Sequence, residues 1–80
     1  MILVYHRFRC YVGPVHVAHY TETARRNGVL NAWAGTEHVY GTWGTPPFAD
    51  ETDRLLFRHR VSELVYGEPG LWWRDVEVLP

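Results

Sequence analysis

The chain has 80 residues, 46% of them hydrophobic and 15% aromatic, with a net charge of −1 and a sequence pI of about 6.5. That length fits a single domain spanning residues 1–80, and the near-neutral balance excludes an overall electrostatic pull towards nucleic acid or anionic membrane, so any such binding has to come from a local patch. Cys10 stands alone, which excludes an internal disulfide; no apolar run is long enough for a signal peptide or a membrane span, and the expectation is a soluble, cytoplasmic protein.

All eight basic residues are arginine. Anion recognition would therefore use planar, bidentate donors. With the many Ala, Gly, Val and Trp residues, the lack of lysine suggests a GC-rich coding sequence and a bacterial or phage source. Four tryptophans are more than one small core readily hides, since each buries roughly 150–250 Å². Some aromatic surface is expected to be exposed, or covered by a partner or a second copy.

Residues 2–12 alternate cleanly. Ile2, Val4, His6, Phe8, Cys10 and Val12 make the more apolar side, and Leu3, Tyr5, Arg7, Arg9 and Tyr11 the other, which predicts a strand with its even residues inward. Gly13-Pro14 ends it. Residues 14–27 then read as a helix: Val17, Tyr20 and Ala24 recur at helical spacing, and Arg25-Arg26-Asn27-Gly28-Val29 carries basic residues in the last turn, Gly at C′ and an apolar C″. The alternative takes Asn27-Gly28 as a type I′ hairpin turn. Residues 29–34 and 36–43 are short strands around Gly35. Residues 44–50, with Pro46-Pro47, form a loop. For 54–66 the alternation favours a long strand; a helix from Asp50 to Tyr66, with Asp50 as N-cap and Gly67 as stop, is the alternative. Glu68-Pro69-Gly70 is a turn, and 71–79 form a last strand. Together these predict an α+β fold, an antiparallel sheet of four or five strands with one helix packed on one face. An all-β small barrel is the alternative if Asn27-Gly28 is a hairpin.

On this reading Arg7 and Arg9 share a face with Tyr5 and Tyr11, and Arg58 and Arg60 repeat the spacing on a neighbouring strand. Four guanidiniums beside tyrosines, with Trp73 close by, make a platform for an anion, for single-stranded nucleic acid or for an acidic protein surface. The structural reading pairs them across strands with Asp75 and Glu77, which have the same spacing. A second candidate surface is an aromatic protrusion, Trp43 and Phe48 around Pro46-Pro47; its structural reading is a lid folded back on a thin core.

His6, Cys10, His16, His19 and His38 are metal-ligand types, but their spacing matches no zinc finger or ribbon, and no metal is assigned. His19-Tyr20-Thr21 followed by Asn27-Gly28-Val29-Leu30 locally resembles, over about a dozen residues, a segment of ADP-ribosyltransferase-like toxins that helps hold a nicotinamide dinucleotide. The resemblance implies an NAD site and a late catalytic acid, for which Glu63 and Glu77 are the available glutamates. No nucleophile elbow or phosphate loop is present, and Ser62 is the only serine. The expectation is thus a non-enzymatic binding module without a cofactor. Its partner is another protein, met through Tyr5, Arg7, Arg9, Tyr11, Arg58, Arg60, Trp43 and Phe48. Self-association is expected as well, since it would cover the surplus aromatic surface, and nucleic-acid or nucleotide binding through the Arg/Tyr face is the alternative.

Overall fold

The computed structural model describes residues 2–69 and 72–80. Strand β1 (Val4–Tyr11) is shorter than the predicted 2–12, and its alternation holds from His6 onward: Phe8 and Cys10 are buried and His6 half-buried, while Tyr5, Arg7 and Tyr11 are exposed. Ile2 and Val4, expected inward, are exposed where no helix reaches them. Helix α1 (Val17–Arg26) begins three residues later than expected, because residues 14–16 form a turn. Its end is the full Schellman arrangement: Gly28 has φ +91°, the Val29 N–H donates to the Ala24 carbonyl at 3.0 Å, and the Gly28 N–H donates to that of Arg25 at 3.1 Å. The hairpin alternative at Asn27-Gly28 is thereby excluded, and with it the barrel.

Strands β2 (Leu30–Ala34) and β3 (His38–Thr45) follow as an antiparallel hairpin turning at Gly35. A register shift between Leu30 and Trp33, where Asn31 has φ +52°, puts a bulge in β2. Strand β3 runs to Thr45, so the proline loop is shorter than predicted, 46–50.

The largest correction concerns residues 54–66. They belong to helix α2 (Glu51–Tyr66), not to a strand. The Asp50 side chain accepts from the Asp53 N–H at 3.1 Å, Glu51 and Asp53 occupy the first turn, and Gly67 closes the helix at φ +80°. Phe57, Val61, Leu64 and Val65 are buried at i, i+4, i+7 and i+8, one stripe of a helix. The predicted last strand shrinks as well. Trp73–Asp75 is a turn of 3-10 helix and only Val76–Val78 is strand, β4; Leu71, and Gly70 of the predicted turn, lie outside the described residues.

The sheet is four-stranded and antiparallel, in the order β2-β3-β1-β4. α1 connects β1 to β2 and α2 connects β3 to β4, so the chain is two split βαβ units, the ferredoxin-like arrangement. The helices pack against each other and against the same side of the sheet, α1 on β2 and β3 and α2 on β3 and β4. Phe8, Val39, Val61, Val65 and Val76 are fully buried between the layers. Gly41 of β3 is required there: a Cβ would run into Val29 and come within 2.9 Å of the Phe8 ring. Asn27, at the end of α1, ties the two helices together by donating to the Leu64 carbonyl of α2 at 2.9 Å.

Each edge strand is fastened by an arginine from the adjacent helix. Arg25 Nε donates to the Ala32 carbonyl at 3.1 Å, and Arg58 Nε to that of Val76 at 2.9 Å. Among the described residues no helix is long and apolar enough to cross a membrane.

Candidate functional site

With both helices on one side, the other side of the sheet is uncovered. Residues paired directly across an antiparallel ladder point to the same face. Register therefore assembles that face strand by strand. β1 supplies Tyr5, Arg7, Arg9 and Tyr11; opposite them β3 supplies Gly44, Thr42, Tyr40 and His38. β2 adds Trp33 opposite Tyr40, and β4 adds Glu77 opposite Arg9.

The aromatic rings are organised. Trp33 stacks on Tyr40 with centroids 4.2 Å apart and planes at 6°. Tyr11 meets His38 edge-on at 5.5 Å. Tyr5 lies over Gly44, where a Cβ would come within 2.8 Å of its ring. Tyr5 is 57% exposed, Trp33 52% and Tyr11 44%, so large apolar area faces outward.

The two arginines of this face differ. Arg9 reaches Glu77 at 2.9 Å, and the Tyr40 hydroxyl and Glu77 both push its pKa further up. The cross-strand pairing foreseen for Glu77 is thus present, whereas Asp75 lies in the 3-10 turn. Arg7 is exposed, and among the described residues no hydrogen bond or ion pair engages its guanidinium. It borders a cavity of about 270 Å³ on the open face, lined also by Asn31, Trp33, Tyr40, Thr42 and Leu79.

Four of the expected contact residues are elsewhere. Positions two apart on a helix diverge by about 200°, so Arg58 and Arg60 do not share a face. Arg58 turns to the β4 edge and lies over the Trp73 ring at 5.1 Å; Arg60 pairs with Glu63 at 3.3 Å along the helix. The four-arginine platform does not form. Trp43 is opposite His6 on the helix side, half-buried against the core and over Gly28. Phe48 is half-buried too, stacked on His6 at 4.0 Å and edge-on to Phe57 at 5.5 Å. Both close the end of the core instead of protruding.

Among the described residues no three His, Cys, Asp or Glu side chains are placed to share a metal ion. His19 is exposed, Tyr20 packs on Tyr66 at 4.8 Å, and Thr21 is buried with its hydroxyl donating to the Val17 carbonyl at 2.7 Å. The His19 ring meets the Tyr20 ring edge-on at 5.1 Å while Thr21 turns into the core, so the three do not line a common site. Burial pushes the Cys10 thiol up to about 12, which keeps it protonated and unreactive. An apolar recess of about 250 Å³ between loop 46–50 and α2 has one carboxylate, Asp53, which already accepts from the Ala49 N–H at 2.8 Å.

Comparison with family models, curated proteins and solved structures finds no match.

Sequence reasoning found the β1 half of the open face and missed Trp33, Tyr40 and Thr42. The available signal was the hairpin about Gly35: it places Trp33 near Tyr40, and Tyr40 and Thr42 two apart on one side of a strand.

Proposed function

We propose that the chain is a small non-enzymatic binding module that takes up another protein on its uncovered sheet face. The observation that carries this reading is the composition of that face: Tyr5, Tyr11, Trp33 and Tyr40 with Arg7 and Arg9, on adjacent strands and with no helix over them. Trp, Tyr and Arg dominate protein-binding hot spots because they give large contact area at low entropic cost, and interface cores are poor in other charges.

A specific observation also favours single-stranded nucleic acid. Aromatic side chains on the central strands of an open four-stranded sheet are how RNA-recognition motifs stack bases. Charge decides against it here. Single-strand affinity rests on neutralised phosphates, each contributing about −0.7 to the salt slope. This face has one unengaged cation, Arg7, since Arg9 is paired with Glu77.

The test is affinity capture from the cells that produce the protein, at low and high salt, with Trp33→Ala/Tyr40→Ala and Arg60→Ala run beside the parent. The expected result is a protein partner that survives added salt, is lost with the aromatic pair and is kept with Arg60→Ala. Capture of the same partner by the aromatic double variant overturns the reading. Recovery of nucleic acid that washes off steeply with salt selects the second one.

A further inference from the structure

The cavity of about 270 Å³ on the open face has walls of two kinds. On its β2 side the parallel Trp33–Tyr40 stack is a planar apolar wall. On its β1 side is Arg7, with Thr42 opposite it in register and Asn31 lining the same space from the bulge. Five other arginines are engaged: Arg9 with Glu77, Arg25 with Glu22, Arg54 with Glu51, Arg60 with Glu63, and Arg58 with two backbone carbonyls; Arg26, which among the described residues is not, lies on α1 away from the open face. Arg7 is a cation beside an apolar wall, in a recess, without a counter-ion among the described residues. A guanidinium fork matches a carboxylate with two parallel hydrogen bonds, and it matches few other protein groups as well.

We infer that this recess receives an acidic side chain of the partner protein, its carboxylate on Arg7 and the residues flanking it against Trp33 and Tyr40. The inference rests on the reading that the open face binds protein, and it names the anchor. Charge placement separates this occupant from a polyanion. Glu77, with a side chain 59% exposed, stands on the same face beyond Arg9, so a chain of phosphates leaving the recess towards β4 meets a negative charge. A single carboxylate held on the β2 side of Arg7 does not.

The experiment is a peptide-display selection against the full chain, followed by affinity measurements on the enriched peptides. The expected result is enrichment of Asp or Glu next to an apolar or aromatic residue. Arg7→Ala should then weaken the best acidic peptide by about tenfold or more, and exchanging the peptide's acid for its amide should weaken it as much on the parent protein. Combining the two changes should add little, since they remove one interaction. Arg7→Lys, which keeps the charge but not the fork, should fall between. An unchanged melting temperature for Arg7→Ala checks that the fold is intact. Peptides that depend on Trp33 and Tyr40 but contain no acid, or that bind Arg7→Ala as well as the parent, overturn the carboxylate anchor while leaving the face as the contact surface. Selections giving no peptide sensitive to Trp33→Ala or Tyr40→Ala overturn both. An oligothymidylate that binds through Arg7 with a steep salt dependence, where acidic peptides do not bind, overturns the inference in favour of a phosphate polymer.

Discussion

The Arg58 guanidinium holds the Val76 carbonyl at 2.9 Å across the free edge of β4. The Leu79 N–H donates to the Arg7 carbonyl, so the odd-numbered residues of β4 bond to β1 and the Val76 carbonyl points away from the sheet. Arg58 also reaches the Arg74 carbonyl at 3.3 Å and lies over Trp73, whose other contacts include the stacked His59 ring at 4.8 Å. One side chain thus joins the middle of α2 to the whole C-terminal segment.

Arg58→Ala should therefore cost about 2 kcal/mol, the range for hydrogen bonds to a charged group, and lower the melting temperature by on the order of 10 °C. Amide exchange should quicken over residues 73–78 before the rest of the sheet. Arg58→Met keeps the stem and loses the bonds, so it should recover only part of the loss. Uniform exchange in the variant would show that the segment is held by Val76 packing alone.

Ser62 is fully buried in α2, and among the described residues its hydroxyl has no hydrogen-bond partner. Removing an unpaired buried hydroxyl and gaining helix propensity act in the same direction. Ser62→Ala should stabilise the fold by about 1 kcal/mol in urea denaturation. A loss of stability would mean that the hydroxyl is bonded in solution.

Gly41→Ala should destabilise by about 1–3 kcal/mol, the usual cost of overpacking a filled core. Its Cβ would press on both Val29, in the α1–β2 junction, and Phe8, its neighbour on β1. Val29→Ala made together with it should return part of the loss; purely additive effects would place the strain elsewhere.

Burial raises the Cys10 thiol from 9.0 to about 12 and also raises Tyr66, whose hydroxyl interacts with it. An acid whose pKa is higher in the folded state keeps its proton where the unfolded chain has lost it. The stability it contributes is full below pH 9 and is lost as pH rises from about 9 to 12. Urea midpoints should fall over that interval with a slope approaching about 1.4 kcal/mol per pH unit from Cys10 alone. Cys10→Ala should flatten the profile from pH 9 upward, removing most of the slope between pH 9 and pH 10 and leaving the tyrosine contribution above pH 10. Parallel profiles for parent and variant would refute the assignment.

Where sequence signals were local, they were legible. β1 could be read because, His6 apart, polar and apolar residues alternate from Val4 to Cys10 and Gly13-Pro14 stops the pattern. The end of α1 could be read because the residues of its C-terminal motif are contiguous. α2 was obscured by Arg58-His59-Arg60, whose spacing by two imitates a strand face; the decisive signals, Asp50 and Gly67, lie at the ends and the buried stripe at 57, 61, 64 and 65 between them. At the C-terminus, Trp-Trp-Arg-Asp-Val-Glu-Val has strand propensity, yet Trp72 is left-handed at φ +56° and the chain coils before entering β4. Propensity cannot report that, because contact with α2 fixes it. The open face was half legible for the same reason. Which strand borders β1 is a tertiary fact, and substituting β3 for residues 54–66 exchanged Arg58 and Arg60 for Tyr40 and Thr42.

Arg25 over Ala32 and Arg58 over Val76 also decide how copies or partners can join this sheet. A carbonyl at each margin already has a donor, β2 is kinked by its bulge, and β4 offers only three residues, so a visiting strand finds no continuous row of backbone groups to extend. Both margins are therefore poor templates for ladder addition. What the sheet leaves open for contact is the side chains of its uncovered face, residues that a single codon change can alter.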